Sequence, residues 1–323
     1  MMTRRGFLKG SAIAAGMLIG ERGLFAAAGE NPSQAQGLNQ QQNLLQTMRN
    51  QASTTPIQTT KVTDTIFLLQ GVGGNMAAQI GPDGKLLVDS GMATAARSLL
   101  QALSKIGPNS LKLLINTCWL FDHTDGNAAL HDTGAFIIAQ ENTRIRLSSP
   151  QKIPLLNLSL NSAPTSALPQ LTFADSDKLY FDNDHLEMIH VPNAQTDSDI
   201  FVHWTNANVI HTGDVYYNGS YPLVDGNSGG SINGLIRAVD QVLEVADEKS
   251  KVIPGHGPLG DKRSLQAYRD MLATVANRIE RLKITGQSLQ QVLAAKPTAD
   301  LDAAWGHGSI TPEIFATGIY DTL

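Results

Sequence analysis

The chain has 323 residues, 42% hydrophobic and 16% charged, which is enough apolar content for one sizeable core or two small ones. Its formal net charge of −5, with no long basic run, gives nucleic-acid binding no electrostatic support. A single cysteine, Cys118, excludes an intramolecular disulfide framework and any structural zinc site built from several thiolates.

The N-terminus reads as a targeting segment. Thr3-Arg4-Arg5-Gly6-Phe7-Leu8-Lys9 is followed by a mildly apolar stretch from Gly10 to Gly20, and small residues close it at Ala26-Ala27-Ala28. A basic region, a short apolar region and a small-residue end form a secretory signal over residues 1–28. The adjacent Arg4 and Arg5 resemble the twin-arginine export signal, which implies a periplasmic or otherwise exported protein. The apolar run is too short and too rich in glycine to span a bilayer, so no stable membrane span is expected after its removal. Residues 29–60 are rich in Gln, Asn, Ser and Thr and read as a polar linker, although Leu44, Leu45 and Met48 have helical spacing.

A domain is expected from residue 61 to 323. Thr65–Gln70, Asn75–Ile80 and Lys85–Asp89 are short apolar runs between glycine-bearing turns and read as strands. Ala93–Lys105 has the helical period, Leu111–Asn116 is a continuous apolar run of buried-strand length, Asp125–Asp132 is helical, and Ala135–Ala139 is a strand. Ser148–Leu168 has three prolines and no clear period, and reads as a crossover. Strands follow at Leu171–Phe173, Lys178–Phe181, Leu186–Val191, Ile200–Trp204 and Asn208–His211. A helix at Ser231–Glu248, a strand at Lys251–Ile253 and a long helix at Leu265–Leu282 complete the pattern. Two strand-rich halves, each closed by helices, imply two sheets packed face to face with helices outside.

The chemistry-bearing run is Asn116-Thr117-Cys118-Trp119-Leu120-Phe121-Asp122-His123-Thr124, which follows a buried strand and opens a helix. Here the chain resembles the metallo-β-lactamase superfamily, whose signature at this place is His-x-His-x-Asp-His. Other landmarks agree in order: Asp89-Ser90-Gly91 at a strand end, Pro192-Asn193-Ala194-Gln195 where the third histidine belongs, Thr212-Gly213-Asp214 as the bridging-Asp segment, and Pro254-Gly255-His256-Gly257 as the last histidine loop. The resemblance implies a four-layer αββα sandwich with a metal site at one edge. Two divalent ions in such a site lower the pKa of a shared water and polarise the scissile group.

Three ligand positions depart from the family pattern: Cys118 and Leu120 stand for the first two histidines, and Gln195 for the third. In the family these three bind the first metal. Leu120 cannot ligate, Gln195 offers only a neutral amide oxygen, and Cys118 offers a thiolate on a side chain shorter than histidine's. The resemblance therefore implies that the first site is lost. Asp122, His123, Asp214 and His256 remain as ligands for one divalent metal, with zinc expected first and iron or manganese also suited. Asp122 or Asp214 would orient a water or take its proton.

Two readings stay open: a one-metal hydrolase of an ester, lactone or amide, and a catalytically inactive family member, with no metal, whose vacated pocket binds a small ligand or a protein partner. In the second reading Asp122 is a helix cap and His256 a packing residue. A small-molecule substrate or ligand is expected in the first case, and nothing in the sequence fixes the oligomeric state.

Overall fold

The computed structural model describes residues 44–323; the signal segment and the first part of the expected linker lie outside the described residues. The linker reading fails from residue 44 onward. A helix, α1 (residues 44–54), buries Ala52 completely, and its Arg49 guanidinium clasps the Asp125 carboxylate through Nε and Nη2. Strand β1 (Gln58–Lys61) then joins the first sheet. The polar composition concealed both elements because few of their side chains are buried.

The first half of the chain runs β2 (Ile66–Gln70), β3 (Met76–Gly81), β4 (Gly84–Val88), α2 (Ala96–Ile106), β5 (Leu111–Asn116), α3 (Phe121–Thr124), α4 (Asn127–His131), β6 (Phe136–Gln140) and α5 (Glu141–Leu147). The expected crossover contains a small hairpin, β7 (Gln151–Ile153) with β8 (Leu158–Leu160), before β9 (Leu171–Phe173). Seven strands form one sheet in the order β1-β2-β3-β4-β5-β6-β9, antiparallel as far as β4 and parallel beyond it.

The second half runs β10 (Ser176–Phe181), β11 (Asp184–His190), β12 (Ile200–Trp204), β13 (Val209–His211), α6 (Ile232–Val245), β14 (Lys251–Ile253), β15 (Gly260–Asp261), α7 (Lys262–Ile284), α8 (Leu289–Ala294), α9 (Asp302–Trp305) and α10 (Pro312–Thr322). Its strands form a six-stranded sheet in sequence order. Strands of both sheets alternate two sets of apolar residues, as buried strands covered on both faces must. Ile66, Leu68, Leu86, Val88 and Ile115 meet Leu186, Met188, Val202 and Trp204 between the sheets. There the Trp204 indole N–H donates to Gln79 Oε1 at 2.8 Å, so the largest inter-sheet side chain leaves no polar atom stranded.

The outer face of the first sheet, with Leu69, Leu87 and Leu114, packs on Leu99 and Leu103 of α2. The outer face of the second, with Phe201, Ile210 and Val252, packs on α6 and α7. The tail lies on those outer helices, where Phe315 of α10 stacks on Tyr221. This is the four-layer αββα arrangement. Among the described residues, no helix is long and apolar enough to cross a membrane.

Candidate metal centre

The site forms where several strands end on one edge of the sandwich. The first component is Asp89, immediately after β4, at φ +64°. A non-glycine residue in the left-handed region costs on the order of 1 kcal/mol. Hydrogen bonds offset this: the Thr117 N–H donates to Oδ1 at 2.8 Å, and the Thr117 hydroxyl donates to Oδ2 at 2.6 Å. The backbone twist delivers the Asp89 carboxylate to His123, whose Nδ1 lies 2.7 Å from Oδ2.

The second component is the turn opening α3. Leu120 takes the extended conformation, and its carbonyl accepts from the N–H groups of His123 and Thr124 and from the Thr124 hydroxyl. No side chain caps this helix; Asp122, the residue available for that role, instead has Oδ2 3.3 Å from His256 Nε2. His123 is fully buried and fits only because Gly74 faces it; a Cβ at Gly74 would lie 2.3 Å from the ring's Cε1.

The third component is the pair of loops after β13 and β14. Gly213 adopts φ +50° where Thr117 leaves no room for a Cβ, and Asp214 follows, almost fully buried. Asp214 Oδ1 lies 3.0 Å from His123 Nε2 and 3.3 Å from His256 Nε2. Its Oδ2 accepts from the Tyr217 hydroxyl at 3.0 Å, and the Tyr217 ring lies against that of His256, with centroids 4.6 Å apart. Asn75 fixes the His256 loop, donating from its side-chain amide to the carbonyls of Pro254 and Gly257. His211 is buried and bridges this region: its Nε2 lies 3.2 Å from the Asn75 carbonyl and its Nδ1 accepts from the Gly213 N–H. Burial pushes its pKa down to about 4.

The four expected ligands thus converge, in the chain Asp89–His123–Asp214–His256–Asp122. Both nitrogens of His123 face carboxylate oxygens, and a neutral imidazole has only one N–H to offer. A further proton or a positive centre is therefore needed: a second proton on the ring, a proton on one of the carboxyls, or a cation at Nε2. Without a cation, burial opposes protonation, yet the charges of Asp214, Asp89 and Asp122 hold the His123 pKa well above the ordinary imidazole range. His256 is treated the same way, and Asp214 and Asp122 push it up to about 9 against the effect of burial. Burial also opposes ionisation of Asp214, but His123 and His256 overcome it and hold that carboxyl below its usual range.

The three positions that depart from the family pattern differ in character. Cys118, Leu120 and Gln195 are all buried. Burial, reinforced by the charges of Asp214, Asp199 and Asp89, pushes the Cys118 thiol well above its ordinary pKa. Neither amide atom of Gln195 has a hydrogen-bond partner. Nearby in sequence, Asp199 accepts from Thr196 through Oδ2, and burial pushes it up to about 7.

The residues present suit a divalent ion. A tetrahedral ion with bonds of about 2.0–2.1 Å sets its donors about 3.3 Å apart. The His123–Asp214, His256–Asp122 and His256–Asp214 separations are 3.0–3.3 Å. Asp122, His123 and His256 offer donor atoms all within 4.8 Å of one another, as do Cys118, His123 and Asp214. Asp89, noted in the sequence only as a landmark, orients His123 as carboxylates orient metal-binding imidazoles. Tyr217 and Gly74 escaped sequence reading, since neither belongs to the recognised motif.

A cavity of about 640 Å³ lies beside the motif turn, lined by Trp119, Phe121, Arg49, Arg146, Leu158 and Pro164 among others, and by none of the four donors. Trp119 is buried with its indole nitrogen unpartnered, and the Arg146 guanidinium sits 5.9 Å from its ring centroid while forming a bidentate pair with Asp197.

This architecture is a four-layer αββα sandwich with candidate metal ligands gathered at one edge. The profile of the metallo-beta-lactamase superfamily matches residues 70–256, and the chain belongs to that superfamily. Among solved structures, it is similar to a metallo-beta-lactamase from Pontibacter korlensis, at 17% identity and a TM-score of 0.57, covering 67% of this chain and 99% of that one. It is similar to the DIM-1 metallo-beta-lactamase at 20% identity and a TM-score of 0.56, covering 68% and 98%. The stereoselective inverting sec-alkylsulfatase Pisa1 from Pseudomonas sp. aligns at 17% identity and a TM-score of 0.64, covering 86% of this chain and 51% of that one. No curated protein matches the chain.

Proposed function

We propose that the chain is an exported hydrolase that works with one divalent metal, held by Asp122, His123, Asp214 and His256, and cleaves an ester, lactone or amide bond. The observation that supports it most is the placement of both imidazoles between carboxylates, at separations that suit one small dication. A divalent ion there supplies Lewis acidity, which lowers the pKa of water and polarises a carbonyl. Asp89 keeps a proton on His123 Nδ1 and so directs Nε2 to the centre. Tyr217 donates to one oxygen of Asp214, leaving the other for the centre. Asp122, on the rim beside His256, is the carboxylate placed to take a proton from an attacking water. The first metal position of the family is lost with Cys118, Leu120 and Gln195. Zinc suits the nitrogen and oxygen donors best, and iron or manganese are also accepted by such a set.

Metal analysis of the purified mature protein tests this. About one equivalent of zinc or iron, lost in His256→Ala, supports it; a folded protein that takes up no ion after reconstitution overturns it.

A second reading, a ligand-binding member without catalysis, draws support from the unpartnered amide of Gln195, since a buried polar group without a partner is what a bound ligand would satisfy. It expects ligand binding by ion-free protein and no hydrolysis across ester, lactone and amide panels.

A further inference from the structure

The two donor groups share His123. Its Nδ1 is engaged by Asp89, so Nε2 is the one ring nitrogen left to bind an ion. One nitrogen lone pair serves one ion, so an ion on the Asp122–His256 side and another on the Cys118 side would compete for the same atom. A single ion at Nε2 has Asp214 Oδ1 beside it and the sulfur of Cys118 in the same compact group, whose donor atoms lie within 4.8 Å of one another.

Cys118 is also held in place. The residue before it accepts the Ile200 N–H at its carbonyl, and the residue after it donates its N–H to Ser198 Oγ. The chain on both sides is thereby pinned to the second sheet and its loop.

We propose that Cys118 is a metal ligand, its thiolate binding the same ion that His123 and Asp214 hold. The inference rests on the one-ion reading above and assigns the first replaced position a working role. On binding, the S–H bond breaks heterolytically, its electron pair forms the sulfur–metal bond, and the proton leaves to solvent; nothing is oxidised or reduced. Burial and three neighbouring carboxylates disfavour a free thiolate here, and a dication supplies the missing positive charge. A sulfur, nitrogen and oxygen donor set selects borderline-soft ions such as zinc, cobalt(II) or cadmium over magnesium or manganese.

Cobalt(II) titration of the metal-free protein tests the assignment. Cys118 is the chain's one cysteine, so any thiolate-to-cobalt charge-transfer band in the near ultraviolet belongs to it. The expected result is about one equivalent of cobalt with visible ligand-field bands and that charge-transfer band, and a Cys118→Ser variant that keeps the visible bands, loses the ultraviolet band and binds at least about 10-fold more weakly, as lost support to a metal does. Visible bands without the charge-transfer band in the unaltered protein overturn the role of Cys118 and leave the one-ion reading standing. No cobalt uptake by the unaltered protein overturns both. If Cys118→Ser fails to fold, as circular dichroism would report, the spectrum of the unaltered protein decides.

Discussion

The turn from Cys118 to His123 has two sides that share a backbone and differ in chemistry. On the side of His256, every ionisable group has a counterpart: Asp122 faces His256, His256 and His123 share Asp214, and Asp89 holds His123. On the other side Leu120 is apolar and Gln195 has two polar atoms with no partner. Opposed buried charges must be kept together, because removing one strands the rest. Neutral side chains such as Leu120 and Gln195 avoid the cost of burying an unpaired charge.

The largest effect expected from this contrast is a change in stoichiometry. Cys118→His, Leu120→His and Gln195→His together should raise bound metal from about one to about two equivalents, read by elemental analysis; a folded triple variant that still binds one would break the assignment of the vacated side. Next comes Asp214→Asn, which leaves His123 and His256 without their common acceptor. Its metal affinity should fall by more than about 100-fold, and its ion-free stability by about 3–5 kcal/mol, measured by dialysis and denaturant unfolding.

Asp89→Asn should weaken metal binding about 10–100-fold with the ligands untouched. Leu120→Ala sharpens the comparison, because it should cost about 2–5 kcal/mol of stability and leave metal affinity within a factor of about three. Equal losses of affinity in the two variants would erase the distinction between the sides.

The pH response of ion-free protein follows from the raised imidazoles. His256 titrates at about 9 when folded, and His123 is raised as well, so their stabilisation is fully present below the unfolded imidazole pKa of about 6.5. It is lost as pH rises through about 9, so melting temperature should fall between pH 6.5 and 9.5, and a flat profile would show that the imidazoles are not held between carboxylates. The smallest effect is expected for Gln195→Leu, where removing an unpartnered buried amide should leave stability unchanged or raise it by about 1–3 kcal/mol. A loss of that size would reveal a partner for Gln195.

Most of the sandwich was legible because its strands are apolar runs cut by glycine turns. Leu111–Asn116, for example, is read and observed with the same bounds. The four ligands were legible as a motif set, but not their distances, since Asp122 and His256 meet only through the two sheets' common edge. Helix α1 was legible only as the helical spacing of Leu44, Leu45 and Met48; its order comes from tertiary contacts, the buried Ala52 and the Arg49–Asp125 pair, that composition cannot display. Asp89 hid for a different reason. Its role depends on a left-handed backbone that a sequence pattern does not announce.

The doubly engaged ring of His123 carries one more consequence. With three carboxylates ionised, both imidazoles protonated and the Cys118 thiol neutral, the cluster sums to −1; with both imidazoles neutral, the thiolate formed and one dication present, it sums to −2. Loading the centre is thus a swap of three hydrogen ions for one metal ion, shifting the net charge of the protein by a single unit. Uptake of the ion should acidify a weakly buffered solution, and the empty fold needs no rearrangement of its charges to wait for it.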